Sequence, residues 1–477
     1  MAKSEQKGVA LKSIYALDFS GGVQNRTFPA LANDNQLMHL LNGYIGKKIG
    51  GIIGRHGSVT KNTTGKTVDN IGIYRNGATR KYFVIADNTT HRVIHTVPNS
   101  DFSGTLTEVL AGHFSKTATV RSITFATREM FFNGVEAPQK WDGTTFSVIT
   151  NAPVKAKYPV VFSQRLYAFG IDSYLHYSDV INATGDGFST NTWTNVGVNP
   201  NDGQRPRGLV RHRARLILLK DESIYRFNGS SGEAEPIINI GTHSENGFVC
   251  TDTAMFFHHP NTGIWKMSLG DPTLISAAVD KYLKGMLVAN WDNVAMGKDD
   301  QCIYAWIGNV TINDPLEWDY NKTYTDVCLV FDTQMERWTV FTGWNATKML
   351  IDVDNSYSYF VTSVGKIIKI DKTVFNDDGV AVDFQVRWHP INYGMPQNSK
   401  SVDRLFIKAS PDVILTAGSD QDKMTSVGQY DLPSKTCQIR EMIDFYELHV
   451  GAHASYTERP VFIEQLFIGN SYARNTI

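Results

Sequence analysis

The chain has 477 residues, of which 42% are hydrophobic, 19% charged and 11% aromatic. These proportions suit a large buried core and exclude a disordered chain. Its 46 Lys and Arg balance 47 Asp and Glu for a net charge of -1, which excludes holding duplex nucleic acid through an overall basic field and leaves room for a local patch.

Residues 1–10 (MAKSEQKGVA) are polar with no signal-peptide core behind them, and no apolar run nears the roughly 18 residues of a membrane span. Synthesis without signal-peptide export and no membrane span are expected. Cys250, Cys302, Cys328 and Cys437 show no CxxC spacing, so neither a disulfide framework nor a cysteine zinc site is implied.

In chain order, "NDNQLMHLLNGYIG" (Asn33–Gly46) comes first, with Leu37, Leu40 and Leu41 at helical spacing between an Asn33 cap and Gly43; it predicts a two-turn helix. A paired-burst unit then recurs: four or five apolar residues, a polar turn, and a second apolar run. It is found at Arg80–Val97, Arg128–Ile149, Gln164–Val180, Arg213–Ile237 and Thr253–Ser276. A wider version pairs Gln301–Gly308 with Asp326–Phe341, and the last spans Ser356–Val374. About seven units at a mean spacing of roughly 46 residues match four-stranded propeller blades. An isolated hairpin is marginal in water, and stacking blades about an axis buries the faces that one meander leaves wet.

"SAAVDKYLKGML" (Ser276–Leu287) predicts a second short helix with Val279, Leu283 and Leu287 on one face. From about Val380 strict alternation replaces the paired bursts. The expected fold is therefore all-β. Residues 1–75 form an N-terminal extended segment with a short helix that completes the propeller. Residues 76–378 form a divergent β-propeller of four-stranded meander blades, with an incomplete circle as the variant reading, and 379–477 a small antiparallel sandwich or jelly-roll-like domain. A tandem of β-sandwiches is the alternative.

No Walker loop, G-x-S-x-G elbow, HExxH or Rossmann glycine set occurs, so no catalytic, cofactor or metal residue is assigned and the chain reads as no enzyme. His258-His259, with His243 and Cys250 nearby, can be drawn as a metal cluster. Adjacent strand residues face opposite ways, however, so the pair reads as loop or surface histidines. "DVDNSYSY" (Asp352–Tyr359) starts like a calcium loop, lacks its central Gly and terminal Glu, and reads as a surface turn. "GDGFSTNTW" (Gly185–Trp193) has the wrong spacing for a sialidase box.

One charge feature stands out, "RPRGLVRHRARL" (Arg205–Leu216). On a strand, Arg211, Arg213 and Arg215 would share a face, with Arg205 and Arg207 approaching it. Nothing acidic lies within the stretch, and such a stripe would suit phosphate contact without base readout. A solvated strand face, or salt bridges to a neighbouring blade or subunit, is the competing reading.

"LDFSGGVQNRTFPALANDNQLMHLLNGY" followed by "GGIIGRHGSVT" resembles the N-terminal passage of tail proteins of tailed bacteriophages. "RLYAFGIDSYLHYSD", "LILLKDESIYRFNGSSG", "GTHSENGFVCTDTAMFFHHPNTGIWKMS" and "LISAAVDKYL", in that order, resemble the middle of the tail hub (tail nozzle, or head-completion) proteins of short-tailed phages. The resemblance runs from Leu17 to Ile370 and more loosely beyond; it rests on the order of segments, since no single motif is diagnostic. It implies a virion tail protein made in the host cytoplasm. Six copies would form a ring continuing the portal–adaptor channel, retaining packaged double-stranded DNA, letting it pass on ejection, and anchoring tailspikes, fibres or a needle. Arg205, Arg207, Arg211, Arg213 and Arg215 are then the DNA-channel candidates, an assignment that no motif of the family makes. A receptor- or glycan-binding propeller on a virion or cell surface is the alternative, and a bladed glycoside hydrolase a further one.

Overall fold

The structure is a computed structural model and describes residues 9–10, 14–16, 19, 21–24, 36–46, 51–180, 193–229, 232–268, 270–315, 317–391, 399–410, 413–419, 425–428, 430–431, 436–439, 443–445 and 447–473. Six four-stranded antiparallel meanders follow one another over residues 68–114, 121–148, 156–197, 206–238, 248–274 and 295–341, and a seventh over 348–371 takes its fourth strand from Gly57–Thr63. The first strands of the seven, Val68–Asn76, Arg121–Phe125, Ala156–Phe162, Pro206–His212, Phe248–Cys250, Ala295–Lys298 and Lys348–Asp352, neighbour one another in a closed circuit. That circuit makes the sheets the seven complete blades of a β-propeller, with these strands innermost. Blade seven is closed by Gly57–Thr63, which pairs antiparallel with Lys366–Asp371.

The paired bursts of the sequence are the second and third strands of each blade. They read as continuous apolar runs because a blade is covered on both faces. In blade four, Leu216 and Leu218 join Tyr167 and Phe169 of blade three, while Ile217 and Leu219 join Met255 and Phe257 of blade five. Each of the seven blade interfaces holds one such cluster.

The alternating C-terminal strands form a sandwich. Val380–Trp388, His449–Tyr456 and Ile414–Gly418 lie in one sheet, and Lys400–Ala409, Thr436–Ile439 and Phe462–Ala473 in the other. The N-terminal segment differs from expectation. Two of its strands belong to the propeller, Gly57–Thr63 closing blade seven and Val68–Asn76 opening blade one, whereas Val9–Ala10, Ile14–Ala16 and Ile52–Gly54 pair with Phe462–Ala473 of the sandwich. The helix expected from Asn33 to Gly46 is not formed: Gln36–Leu41 and Gly43–Ile45 are strands, and residues 33–35 lie outside the described set. Gln36–Leu41 runs beside Val380–Trp388 and is covered on both sides, so Leu37 and Leu40 enter the sandwich core and Leu41 the interface of blades five and six. Two-sided burial fills successive positions with leucine and imitates a helical stripe.

The second helix is present and shorter than expected, a 3-10 turn at Ser276–Val279 leading into an α-turn at Asp280–Lys284. Val279 and Leu283 are buried, but Leu287 is exposed. The chain turns away at Gly285, where a Cβ would stand 2.4 Å from the Thr311 carbonyl oxygen.

Candidate functional site

The five arginines do not form one stripe. Pro206–His212 pairs with Arg215–Lys220 so that His212 faces Arg215, and the chain reverses at Arg213, whose φ is +55°. The stretch is therefore the inner hairpin of blade four. Arg205 and Arg207 lie at one end of it, and Arg211, Arg213 and Arg215 cluster at its tip.

The two ends differ in charge pairing. Arg207 is buried, with Nε 2.5 Å from Asp221 Oδ1 and Nη2 3.5 Å from Asp292 Oδ1. Arg205 Nε lies 3.1 Å from Asp221 Oδ2. Burial pulls the Asp221 carboxyl upward, but Arg207 and Arg205 outweigh it and hold the group below its ordinary value. Both partners come from outside the arginine stretch, which is why they were invisible in its local sequence. At the tip, Arg211 Nε donates to the Arg213 carbonyl oxygen (3.3 Å) and its guanidinium lies 5.9 Å from the centroid of Phe162. Arg213 Nη2 donates to the Thr253 carbonyl oxygen (3.2 Å). Arg211, Arg213 and Arg215 are exposed, and among the described residues none of the three has a carboxylate partner within salt-bridge distance.

Arg207 also belongs to a ring that sequence reasoning missed. Asp69, Arg121, Lys157, Arg207 and Lys348 occupy the starts of five inner strands, and Glu245 stands just ahead of a sixth. The mouth of the propeller at that end is thus lined with charged groups of both signs, four basic and two acidic. Glu245 accepts from Lys157 Nζ at 2.5 Å, Arg121 Nη2 at 3.1 Å and Thr119 Oγ1 at 2.5 Å. Burial alone would raise its pKa; Arg121 and Lys157 bring it down to about 2. Asp69 pairs with Arg92 at 3.0 Å. Lys348 keeps some contact with solvent but is enclosed by protein walls, and desolvation, then Arg121, lower its pKa to about 7 against the pull of Asp69 and Glu245. No local motif marks these residues. Their common feature is position, at or just ahead of the start of the inner strand in six of the seven blades, and it appears only once the blades are aligned. A cavity of about 670 Å³ opens here, lined by Arg121, Arg207, Asn290, Asn309 and Asn345 among others. Among the described residues, the indole N–H of Trp306 has no hydrogen-bond partner, and Arg207 Nη2 has only its 3.5 Å ion pair with Asp292; both residues line the cavity.

His258 and His259 point opposite ways, but they are not loop or surface histidines: both are buried on the second strand of blade five. His258 is fully buried, with its pKa lowered to about 3 by desolvation first and then by His259 and His243. His259 instead meets His243 on Glu222, and these three are the group among the described residues whose ligand atoms converge as a metal site requires. Cys250 is elsewhere, with Sγ 3.3 Å from His212 Nδ1. The turn expected at Asp352–Tyr359 is present, but Asp352 is fully buried: its carboxylate accepts from Arg80 Nη2 and from Tyr82 Oη, each at 2.5 Å, and so ties blade seven to blade one. Gly185–Trp193 lies outside the described residues except for Trp193.

No protein-family model and no curated protein matches the chain. Among solved structures, the computationally designed Ika8 protein is similar at TM-score 0.39 and 10% identity, over 66% of this chain and 99% of that one. The extracellular domain of a protein described as a one-component system from B. thetaiotaomicron aligns at TM-score 0.47 and 8% identity, over 67% of this chain and 40% of that one. A chain of the Mitotic Checkpoint Complex aligns at TM-score 0.41 and 8% identity, over 66% and 93%.

Proposed function

We propose that this chain is a structural subunit of the tail hub of a short-tailed bacteriophage, a scaffold and not a catalyst. Six copies form a ring below the portal and adaptor, and the exposed Arg211, Arg213 and Arg215 face the packaged DNA. The observation that carries this reading is the contrast within one hairpin: two arginines neutralised by Asp221 and Asp292, and three left facing solvent without a carboxylate. Guanidinium groups of this kind hold phosphate by charge and geometry without reading bases. A near-neutral chain with one small basic patch grips DNA weakly enough for it to slide. The interleaving of the N-terminal strands through the sandwich and the last blade gives a rigid part suited to a ring, which needs a head-to-tail interface that closes.

The cavity at the propeller mouth favours a second reading, binding of a glycan through the side-chain amides of Asn290, Asn309 and Asn345. Negative-stain imaging of the purified protein with portal–adaptor particles separates the two. Rings on the particles and no preference on a glycan array support the hub; monomers that bind a defined glycan overturn it. Within the hub reading, Arg211→Glu with Arg213→Glu leaves folding intact and impairs genome retention or ejection. Unchanged titre and DNA content in that double variant would remove the arginines from the DNA path.

A further inference from the structure

We propose that Glu222, His243 and His259 form a binding site for one divalent transition-metal ion, zinc by ligand type, that clips blade four to blade five. This inference stands independently of the hub reading.

The ligands come from three segments brought together by the fold. Glu222 sits in the turn between the second and third strands of blade four, closed by Lys220 N–H donating to the Ser223 carbonyl oxygen at 2.9 Å. His243 lies in the passage from blade four to blade five, and His259 ends the second strand of blade five. Glu222 Oε1 is 2.7 Å from His243 Nε2, and Glu222 Oε2 is 3.0 Å from His259 Nε2. All the ligand atoms lie within 4.8 Å of one another. Tetrahedral ligands about 2.0–2.2 Å from an ion stand about 3.3–3.6 Å apart, so the Glu–His contacts of 2.7 and 3.0 Å must widen and the widest separation in the group, within 4.8 Å, must close by side-chain rotation.

The backbone holds this arrangement in place. Thr242 N–H donates to the Lys220 carbonyl oxygen at 2.9 Å. Gly241 lies so close to that oxygen that a Cβ would come to 2.0 Å, so the segment leading to His243 is seated on the Glu222 turn. His259 is oriented from behind: its Nδ1 is 3.0 Å from Thr262 Oγ1, which also accepts from Trp265 Nε1 at 2.8 Å. Without an ion, Nε2–H donates to Glu222 Oε2; with an ion bound, the proton would sit on Nδ1 and donate to Thr262 Oγ1, the outer-shell arrangement that metal-binding histidines use. Two imidazoles and one carboxylate select zinc or a neighbouring transition metal over calcium or magnesium. Glu222 is 49% exposed and His259 6%, so the site is anchored in protein on one side and open to a water ligand on the other.

The test uses the full chain, stripped with EDTA and titrated with zinc chloride by calorimetry, with cobalt(II) absorption as a second readout. One ion per chain is expected, with visible bands of a low-coordinate cobalt site and a zinc-dependent rise in Tm. Glu222→Gln and His243→Ala, at accessible positions where folding can be checked by circular dichroism, should each weaken binding about 100-fold or more. Thr262→Val should weaken it about 10- to 100-fold, and His91→Ala should leave it unchanged. Zinc binding that survives Glu222→Gln and His243→Ala undiminished, or no binding by the folded parent chain at up to millimolar zinc, overturns the proposal.

Discussion

Arg55 and Asp377, 322 positions apart, form a two-pronged ion pair at the junction of propeller and sandwich, with Nη1 to Oδ1 at 3.1 Å and Nη2 to Oδ2 at 2.5 Å. Every donor of Arg55 is used: Nε bonds Asn42 Oδ1, Nη1 also bonds the His56 carbonyl oxygen, and Nη2 that of Thr342. Its guanidinium stacks 4.5 Å from the centroid of Trp344. Lysine cannot reproduce this planar fork. Arg55→Lys and Arg55→Ala should therefore each lower stability by about 3 kcal/mol, because the half-buried Asp377 carboxylate loses its fork and the acceptors of Asn42, His56 and Thr342 lose their donors. Urea denaturation followed by tryptophan fluorescence measures this, and a loss under about 1 kcal/mol would show the pair to be incidental.

Closure of the seventh blade depends on a close backbone approach. A Cβ on Gly57 would stand 1.9 Å from the Asn376 carbonyl oxygen. Gly57→Ala must displace the closing strand, at a cost of about 2 kcal/mol or more. Faster limited proteolysis near residues 57–63 is the expected sign, since the freed strand exposes its backbone.

A gain in stability is expected at the tip of blade two. Thr127, exposed and β-branched, is held at φ +60° in the two-residue turn that joins Arg121–Phe125 to Arg128–Phe132. The left-handed conformation costs roughly 1–2 kcal/mol for such a residue, and glycine gives back about 0.5–1 kcal/mol in unfolded-state entropy. Thr127→Gly should thus stabilise by up to about 1 kcal/mol, and a lower Tm in the variant would contradict the strain.

Glu129 is buried in blade two. Desolvation, only partly countered by hydrogen bonds from Thr124 and Ser122, raises its pKa to about 7. The folded state therefore binds more protons than the unfolded state between about pH 4.5 and 7. Stability from this group is fully present below the unfolded pKa and is lost as pH rises through the folded one. Glu129→Gln should flatten that fall and leave the variant the more stable form at pH 8, by on the order of 3 kcal/mol. Identical pH profiles for parent and variant would show that the carboxyl is not held protonated.

If the hairpin-tip arginines meet phosphate, the salt dependence of DNA binding reports it. Replacing Arg211, Arg213 and Arg215 by glutamine should lower the slope of log K against log salt by about 3, close to one per lost contact, with no change in sequence preference. An unchanged slope would place the contact elsewhere.

The repeated blades and the alternating strands of the sandwich were legible in the sequence because they follow from local physics: two-sided burial writes continuous apolar runs, one-sided burial writes alternation, and turn residues separate them. The N-terminal strand at Gln36–Leu41 was not legible. Its leucines are there because neighbours from the sandwich and from blades five and six cover both faces, and nothing within the segment encodes those neighbours. The same reason hid Asp221 and Asp292 from the arginines, the charged ring at the propeller mouth, and the meeting of His243 and His259 on Glu222. What the chain's pattern determined alone was that it makes paired β-strands with faces that must be covered. Which side chains meet was decided only by closing the blades into a circle, because closure brings together residues tens to hundreds of positions apart, and short-range periodicity carries no information about such partners.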